Sequence, residues 1–541
     1  MPTVFTFENV RHCMWRNVYS PQPVLAGTII FGSAYGWTTE RLSPELLSVF
    51  EEKLPGAVPR SVHFTAAEIV ARLAQHIQLL GDVTSPSCGV GSRDETRKSA
   101  DIFFSCRDPV IGPQSLTLAA QIVYRLAYEP MTADGLVPML KACDDMIDRY
   151  ALELRTLKMI QAAEQLGIPW FRTNSLVRHA QLGQGFRQQR LWKTMFSSEP
   201  VYGRDYAKNK LLTLTTLSQL LLPVGQFAAV RDVASAVISA REIGYPVVLK
   251  PVDSGRGDSV YADLRDENEL RAALAAARVG ERPFMLQSFF PGEDYRLLII
   301  GGKLFYAGHR VAASVTGDGR HTVAELAGIE NRNPDRLGND TLSPIVLDAD
   351  SDRVLAHQGC TRASIIAAGR VVRVKGMSNV AAGGTVVDVT DAVHPDNLNA
   401  ALRAAAAIGL VVTGVDFITP DITKSWHEVG GGFCEVNATV GVPHASVTPG
   451  RDVYRTLIQG FYPEGDDGRI PTAMVTGTFG KTTTALMLAS ILTCAGHTVG
   501  CATTESIRIG NEEIALGDYA ASDGASVVLR DATVTAAVLE T

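Results

Sequence analysis

The stretch VVLKPVDSGRGDSV, residues 247–260, joins an apolar run to a lysine and then to a glycine-bearing loop. The run VVL favours a buried strand, and Lys250 stands at its end. Glycines let a loop approach and cover a phosphate group, and a nearby lysine supplies the opposite charge. The stretch therefore predicts a phosphate-binding site in an α/β fold, with the candidate residues Lys250, Gly255, Arg256 and Gly257.

Other segments add groups of the same chemistry. Lys210 stands in AKNKLL, Asp416 in GVDFIT, and Glu435 and Asn437 in CEVNA. On a strand, Glu435 and Asn437 point to the same face. Three oxygen ligands that converge there suit Mg²⁺, a hard cation that prefers oxygen. Each segment alone is a weak signal, and their order and spacing together predict one nucleotide site with Mg²⁺.

A second phosphate motif, GTFGKTTT at residues 477–484, stands between an apolar strand pattern and a long apolar helix pattern. Its spacing is GxxGK[ST], shorter than the common GxxxxGK[ST]. In such a loop the main-chain N–H groups and the helix N-terminus attract phosphate, the lysine reaches the β- and γ-phosphates, and the next hydroxyl binds Mg²⁺. The candidate residues are Gly477, Gly480, Lys481, Thr482 and Thr483.

Composition narrows the class of protein. The chain has 541 residues, 46% hydrophobic and 20% charged, which is typical of globular proteins and excludes a disordered or fibrous chain. A formal charge of −7 argues against non-specific binding of nucleic acid. The N-terminus does not resemble a signal peptide, and no apolar stretch has the length of a membrane span. The eight scattered cysteines predict reduced thiols in a cytoplasmic protein.

Helical periodicity alternates with the short apolar runs YPVVLKP, RLLIIGG and GVDFITP. This alternation predicts an α/β and α+β multidomain protein. Helices are predicted at Thr65–Leu80 and at Asn397–Ile408, where Gly409 suits the C-cap. The polar segment Ser87–Lys98 is predicted to be a loop. The domains predicted are an N-terminal domain (1–155), a second domain (156–462) and, after a polar linker, a P-loop domain (470–541).

Motifs along most of the chain resemble the cyanophycin synthetase family of ATP-grasp ligases. They include NVYSPQPVL, GIPWFR, KPVDSGRG, EDYRLLIIGGKLFYAGHR, AAGGTVVDVTDAVHPDN, EVNATVGVPH, GRIPTAMVTGTFGKTTT and TTESIRIG. The resemblance implies that the second domain is an ATP-grasp domain and that the third is a Mur-ligase-like domain. It implies an ATP-dependent ligase that activates a carboxylate as an acyl phosphate and adds aspartate at one site and arginine at the other, building an Asp/Arg storage polymer.

The same resemblance assigns roles to residues. Lys210 and Lys250 would contact ATP phosphates, and Arg296 and Arg310 would contact phosphate or a substrate carboxylate. The metal ligands implied for Mg²⁺ are Asp416, Glu435 and Asn437 in the ATP-grasp domain and Thr482 and Glu540 in the Mur-like domain. Thr504 and Glu505 stand where further nucleotide contacts are expected. The implied partners are aspartate, arginine or an Asp/Arg primer, with no nucleic acid and no membrane. The resemblance also implies a homo-oligomer, namely a tetramer.

Departures from the family pattern leave alternatives open. The loop after Lys250 is two residues short, Pro443 replaces an expected arginine, and Phe479 replaces an asparagine in the P-loop. The sequence also stops soon after VLE, so the Mur-like domain is expected to be incomplete. The alternatives are a one-site polymerase of β-aspartyl-arginine dipeptide, a non-catalytic polymer-binding subunit with degenerate sites, and an ATP-grasp ligase of different specificity.

Overall fold

The computed structural model shows several sheets with flanking helices in two units, which confirms the mixed α/β and α+β multidomain class. Unit 1 comprises Met1–Phe196 and Asp466–Thr541, and unit 2 comprises Ser197–Gly465. Within them, the structure describes residues 5–13, 17–20, 23–80, 87–174, 176–253, 259–279, 282–333, 336, 342–376, 378, 382–438, 448 and 450–541. In these ranges no helix is long and apolar enough to cross a membrane.

The N-terminal part of unit 1 is an antiparallel sheet covered by helices. Its elements are β1 (Thr6–Cys13), β2 (Val24–Ile30), α1 (Pro44–Lys53), α2 (Ala66–Leu79), β3 (Cys88–Asp94), β4 (Ser99–Ser105), α3 (Ile111–Tyr128) and α4 (Ala133–Tyr150). The strand order is β1-β2-β4-β3. The helix predicted at 65–80 is confirmed as α2, which begins after a capping box formed by Thr65 and Glu68.

The prediction of a loop at 87–98 is wrong for most of that segment. Strand β3 occupies Cys88–Asp94, and only the four residues that follow form a turn. The strand lies at the edge of the sheet, and its pairing with β4 supplies the order that its polar composition does not predict. Gly89 admits a close neighbour, because a Cβ there would lie 2.7 Å from the Phe103 ring. The glycine that indicated a loop instead permits this packing.

A small antiparallel sheet follows in unit 1. Its elements are α5 (Leu154–Gln165), β5 (Trp170–Arg172), β6 (Ala180–Leu182), β7 (Gln189–Trp192) and β8 (Met195–Phe196). Arg172, at the end of β5, forms a buried ion pair with Asp108, with 2.6 Å between Nη1 and Oδ2. Its Nη2 also donates to the Tyr150 carbonyl oxygen at 2.5 Å. These contacts join the small sheet to the N-terminal part of unit 1.

Unit 2 contains two larger sheets and a smaller two-stranded one. Its first elements are α6 (Val201–Lys208), α7 (Lys210–Gln219), β9 (Phe227–Val230), α8 (Val233–Ile243), β10 (Val247–Pro251), β11 (Tyr261–Leu264), α9 (Glu267–Ala276), β12 (Phe284–Ser288), β13 (Glu293–Ile300), β14 (Lys303–Val311) and β15 (Ser314–Thr316). The remaining elements are α10 (Val323–Glu330), α11 (Ala349–His357), β16 (Val371–Arg373), β17 (Thr385–Asp388), α12 (Pro395–Ile408), β18 (Val412–Thr419), α13 (Trp426–Val429), β19 (Gly432–Asn437) and α14 (Val453–Gln459).

The sheets of unit 2 have the orders β11-β10-β12-β9, β17-β14-β13-β18-β19 and β15-β16. We call the five-stranded one the central sheet; all its neighbouring strands are antiparallel. The predicted strands YPVVLKP, RLLIIGG and GVDFITP are confirmed as β10, β13 and β18. The predicted helix at 397–408 is confirmed as α12, and Gly409 ends it in the left-handed conformation with φ 78°.

Unit 1 resumes with a P-loop domain. Its elements are β20 (Thr472–Val475), α15 (Lys481–Cys494), β21 (Val499–Ala502), β22 (Ser506–Ile509), β23 (Glu512–Leu516), α16 (Ser522–Arg530) and β24 (Ala536–Glu540). The strand order is β20-β24-β21-β22-β23, and β24 is parallel to both its neighbours. The small sheet packs against this domain, where Phe186 N donates to the Val534 carbonyl oxygen at 2.9 Å. The predicted succession of strand, turn and helix around the P-loop is confirmed.

Candidate active site

Two buried lysines lie beside the last strand of the central sheet. Lys250, near the end of β10, donates from Nζ to Gln287 Oε1 at 2.6 Å and to the Cys434 carbonyl oxygen at 3.0 Å. Lys210, the first residue of α7, has its Nζ 3.9 Å from Glu435 Oε1. Both lysines are only 5% exposed. Burial lowers the pKa of Lys250, because the interior disfavours a charged ammonium.

Gln287 belongs to the group around Lys250, and the sequence analysis missed it. Its Oε1 accepts the Lys250 ammonium, and its Nε2 donates to the carbonyl oxygens of Val224 at 2.8 Å and Phe433 at 3.2 Å. These bonds satisfy the amide, which is 2% exposed, and fix the lysine in place. The sequence signal that could have identified Gln287 is its position as a single amide side chain within the apolar strand FMLQS.

Two arginines share one buried carboxylate at the centre of the sheet. Arg296 binds Asp416 through two bonds, from Nε to Oδ1 and from Nη2 to Oδ2, the latter at 2.9 Å. Arg310 Nη2 lies 2.6 Å from Asp294 Oδ1 and 3.1 Å from Asp416 Oδ2. The register of the sheet explains the contacts, because Arg296 is directly opposite Asp416 and Asp294 is directly opposite Arg310. The strands thus bring both candidate arginines to one face.

The three candidate metal ligands also come together. Asp416 on β18 is directly opposite Glu435 on β19, and Asn437 lies two residues further along β19. Rotating the Asn437 amide lets its nitrogen donate to Glu435 Oε1 at 2.7 Å and its oxygen accept from Arg296 Nη2 at 3.3 Å.

The charges in this group influence each other. Burial by itself would raise the pKa of Asp416, but Arg296 and Arg310 outweigh it and hold that pKa below its usual value. Burial raises the pKa of Glu435, and the adjacent Asp416 carboxylate adds to the effect. Burial likewise raises the pKa of Asp294. A cation that bound Glu435 would favour its ionised form and relieve this cost.

The donor set fits Mg²⁺ by its chemistry. It consists of two carboxylates and an amide oxygen, which are ligands of a hard cation. Among the described residues, no group of three or more His, Cys, Asp or Glu side chains is arranged to hold a metal ion, so the amide of Asn437 is needed to complete the set. The candidate loop residues Gly255, Arg256 and Gly257, and the departure at Pro443, lie outside the described residues.

The P-loop in unit 1 has the backbone that its glycines indicate. Gly477 and Gly480 have φ angles of 147° and 76°, in the region that favours glycine, and Gly480 precedes the first residue of α15. Lys481 and Thr482 begin that helix, and Thr483 is exposed on its first turn. The helix N-terminus and the lysine form a site of positive potential.

Glu540 connects the elements of this second site. It ends β24, is 2% exposed, and accepts the Thr482 hydroxyl at 3.1 and 3.0 Å through its two oxygens. It also accepts Thr504 N at 3.1 Å, and its Oε1 lies 3.9 Å from Lys481 Nζ. Glu505 is exposed beside Thr504. The structure therefore brings Lys481, Thr482, Thr504 and Glu540 together.

Comparison with known proteins gives a consistent class. No family model matches the chain. It is 34% identical over 487 residues to the cyanophycin synthetase of Geminocystis herdmanii, covering 87% of this chain and 55% of that protein. It is 34% identical over 219 residues to the glutathione biosynthesis bifunctional protein of Streptococcus mutans, and the match covers 39% of this chain and 29% of that protein. A crystal structure of a bifunctional glutathione synthetase from Pasteurella multocida matches with a TM-score of 0.41 at 23% identity. This match covers 65% of this chain and 51% of that one.

The sequence similarities to the cyanophycin synthetase and to the glutathione biosynthesis protein place the chain in the class of ATP-dependent ligases, which confirms the class predicted from its motifs. Within that class the chain is a homologue of the cyanophycin synthetases, and the predicted resemblance is confirmed. The chain spans about half the length of the cyanophycin synthetases that it matches, 55% and 48% of two of them.

Proposed function

We propose that the chain is a carboxylate–amine ligase that uses ATP and Mg²⁺ to extend an Asp/Arg polymer, with its aspartate-adding site in unit 2. The observation that carries this proposal is the group on the central sheet. Two arginines bind one buried carboxylate there, and two buried lysines lie beside the adjacent strand. The homology to cyanophycin synthetases supports the choice of substrates.

The reaction needs charge neutralisation and positioning more than it needs a covalent protein intermediate. A carboxylate oxygen of the primer attacks the γ-phosphorus of ATP, and the bond from that phosphorus to the ADP oxygen breaks. The resulting acyl phosphate is attacked at its carbonyl carbon by the amine of aspartate. Phosphate leaves with the bonding electrons, the nitrogen loses a proton, and an amide remains.

In this proposal the lysines Lys210 and Lys250 bind the phosphates of ATP, and Gly255, Arg256 and Gly257 cover them. Arg296 and Arg310 neutralise the charge that collects between the carboxylate and the transferred phosphate. Asp416, Glu435 and Asn437 would hold Mg²⁺, which supplies charge neutralisation to the phosphate oxygens.

We further propose that unit 1 carries a second nucleotide site in a Mur-ligase-like domain. Gly477, Gly480, Lys481 and Thr483 would bind the phosphates, and Thr482 and Glu540 would hold the metal. The contacts of Thr482 and Lys481 with Glu540 support this assignment. The domain limits proposed are 1–155, 156–462 and 470–541, and arginine addition is assigned to the Mur-like domain.

Phosphate release from ATP and Mg²⁺ tests the proposal. The purified chain is assayed with a short Asp/Arg primer, and aspartate, arginine and β-aspartyl-arginine are added one at a time. We expect release that requires primer and aspartate and that is lost in Lys250→Met. The matched control is Lys303→Met, which removes an exposed lysine of unit 2 and should leave the rate unchanged. Lys481→Met separates turnover at the P-loop from turnover in unit 2.

The other outcomes decide between the alternatives. Release with β-aspartyl-arginine but not with aspartate would identify a one-site dipeptide polymerase. Release that persists in Lys250→Met but disappears in Lys481→Met would assign turnover to the P-loop and contradict the proposed site. Primer binding without release under any condition would replace the ligase with a polymer-binding protein.

A further inference from the structure

Tyr306 carries a buried hydroxyl on the face of the central sheet that holds the arginines. The side chain is 3% exposed, and its Oη makes no hydrogen bond with the described residues. The Nε of Arg310 on the same strand is also buried and without a hydrogen-bond partner among those residues. Two unused polar groups on one strand are costly unless a ligand uses them, because burial removes their contacts with water.

The strand geometry shows where the hydroxyl lies. Tyr306, Gly308 and Arg310 alternate along β14, so they share one face of the sheet. A Cβ atom on Gly308 would lie 2.5 Å from Tyr306 Oη, so the tyrosine ring crosses the space that this glycine leaves free. Gly308 is directly opposite Arg296 on β13. The hydroxyl therefore lies over the residue that faces Arg296.

Position in the sheet separates this hydroxyl from the lysines. In the order β17-β14-β13-β18-β19, Tyr306 lies on β14, whereas Lys250 and Lys210 contact β19 at the far edge. Three strand spacings separate β14 from β19, a distance of about 14 Å. The arginines and Asp416 lie between these two ends. An anion near Tyr306 is thus on the opposite side of the arginines from the phosphate-binding lysines.

We propose that the Tyr306 hydroxyl, together with Arg310 Nε, donates hydrogen bonds to the primer carboxylate that the ligase activates. This inference rests on the proposed function and adds a binding residue to it. A tyrosine hydroxyl and a guanidinium N–H are both donors, and a carboxylate offers two acceptor oxygens. In the empty protein the hydroxyl has no described acceptor, and the bound carboxylate supplies one.

The variant Tyr306→Phe tests the proposal, because it removes one oxygen and nothing else. Loss of a hydrogen bond to a charged group should weaken primer binding by about 10- to 100-fold, measured by calorimetry and as KM. ATP affinity should not change. The thermal midpoint of the empty protein should stay equal or rise, since an unpaired buried polar atom has been removed.

Tyr295→Phe is the matched control. Tyr295 is 5% exposed on the neighbouring strand, is part of the core on the other face, and has its hydroxyl close to the main chain of Ile422. This variant should lower the thermal midpoint and leave primer affinity unchanged. The two tyrosines should therefore respond in opposite ways.

Three results would overturn the proposal. They are unchanged primer affinity in Tyr306→Phe, a lowered thermal midpoint like that of Tyr295→Phe, or weakened ATP binding with normal primer binding, which would place the hydroxyl on phosphate. Calorimetry also separates this proposal from the one on which it rests. If the wild-type protein binds primer without turnover, the proposed ligase activity is contradicted, but primer binding by Tyr306→Phe still tests the role of the hydroxyl. If the wild-type protein binds no primer, both proposals are contradicted.

Discussion

Replacing Arg172 by methionine should strongly destabilise unit 1, because Asp108 would keep a buried charge without its partner. The Arg172 and Asp108 side chains are only 2% and 4% exposed. The variant also removes the bonds from Nη2 to the Tyr150 carbonyl oxygen and from Nε to the Asn174 carbonyl oxygen, at 2.5 and 3.3 Å. Removing one partner of a buried ion pair costs about 3–5 kcal/mol.

Differential scanning calorimetry measures this loss as a shift of the melting temperature. For a domain of this size class, 1 kcal/mol corresponds to about 2–4 °C, so the expected decrease is about 6–20 °C. The control Arg155→Met removes an exposed arginine of the same unit and should change stability by less than about 0.5 kcal/mol.

A double variant tests the physical cause. Arg172→Met combined with Asp108→Leu replaces the pair by apolar side chains and should recover much of the stability that Arg172→Met loses, because no buried charge is left without a partner. If the losses of the two single variants simply add, or if Arg172→Met melts within about 1 °C of the wild type, the argument from the unpaired charge is wrong.

Three further predictions follow from local geometry. Burial lowers the pKa of Lys250, so its ammonium loses its proton at a lower pH than an ordinary lysine does. ATP affinity, measured by calorimetry over a range of pH, should therefore fall as the pH rises through this lowered pKa. The variant Lys250→Arg should keep its ATP affinity over the same range, because arginine stays charged. Thr482→Val removes the donor to Glu540, so the P-loop domain should lose about 1–3 kcal/mol in urea unfolding and bind Mg²⁺–ATP more weakly. Gly185→Ala should lower the free energy of unfolding, measured in urea, by more than about 2 kcal/mol, because the added Cβ would lie 2.2 Å from the Val534 carbonyl oxygen. Gly167 also has a positive φ, but no atom of the described residues lies within 4 Å of the position that an added Cβ would take, so Gly167→Ala should lower it by only about 1 kcal/mol.

The sequence predicted residue types and local elements better than it predicted contacts. Lys250 and Lys481 are recognisable because each stands beside a glycine-bearing loop at the end of an apolar run. The helix at 397–408 is predictable because its propensity and its terminal glycine agree. In both cases a few adjacent residues contain the necessary information.

The arrangement of Arg296 around Asp416 could not be predicted in the same way. The two residues are 120 positions apart, and only the register of β13 with β18 makes them direct neighbours. The edge strand at 88–94 was missed for a related reason, because its hydrogen-bond partner lies in the next strand and its own composition is typical of a turn. The burial of the Tyr306 hydroxyl, which has no hydrogen-bond partner among the described residues, also depends on three-dimensional packing.

The two hydrogen bonds of Lys250 have a consequence for ligand selectivity. Its ammonium has three N–H donors, and two of them already donate to the amide of Gln287 and the carbonyl oxygen of Cys434. In the proposed phosphate site, Lys250 would therefore offer an anion one further hydrogen bond, in a direction that the two existing bonds fix. A small anion that reaches only this donor would gain a single charge-assisted bond, whereas a polyphosphate is long enough to contact Lys210 as well. The pair of buried lysines would thus favour a polyphosphate over chloride.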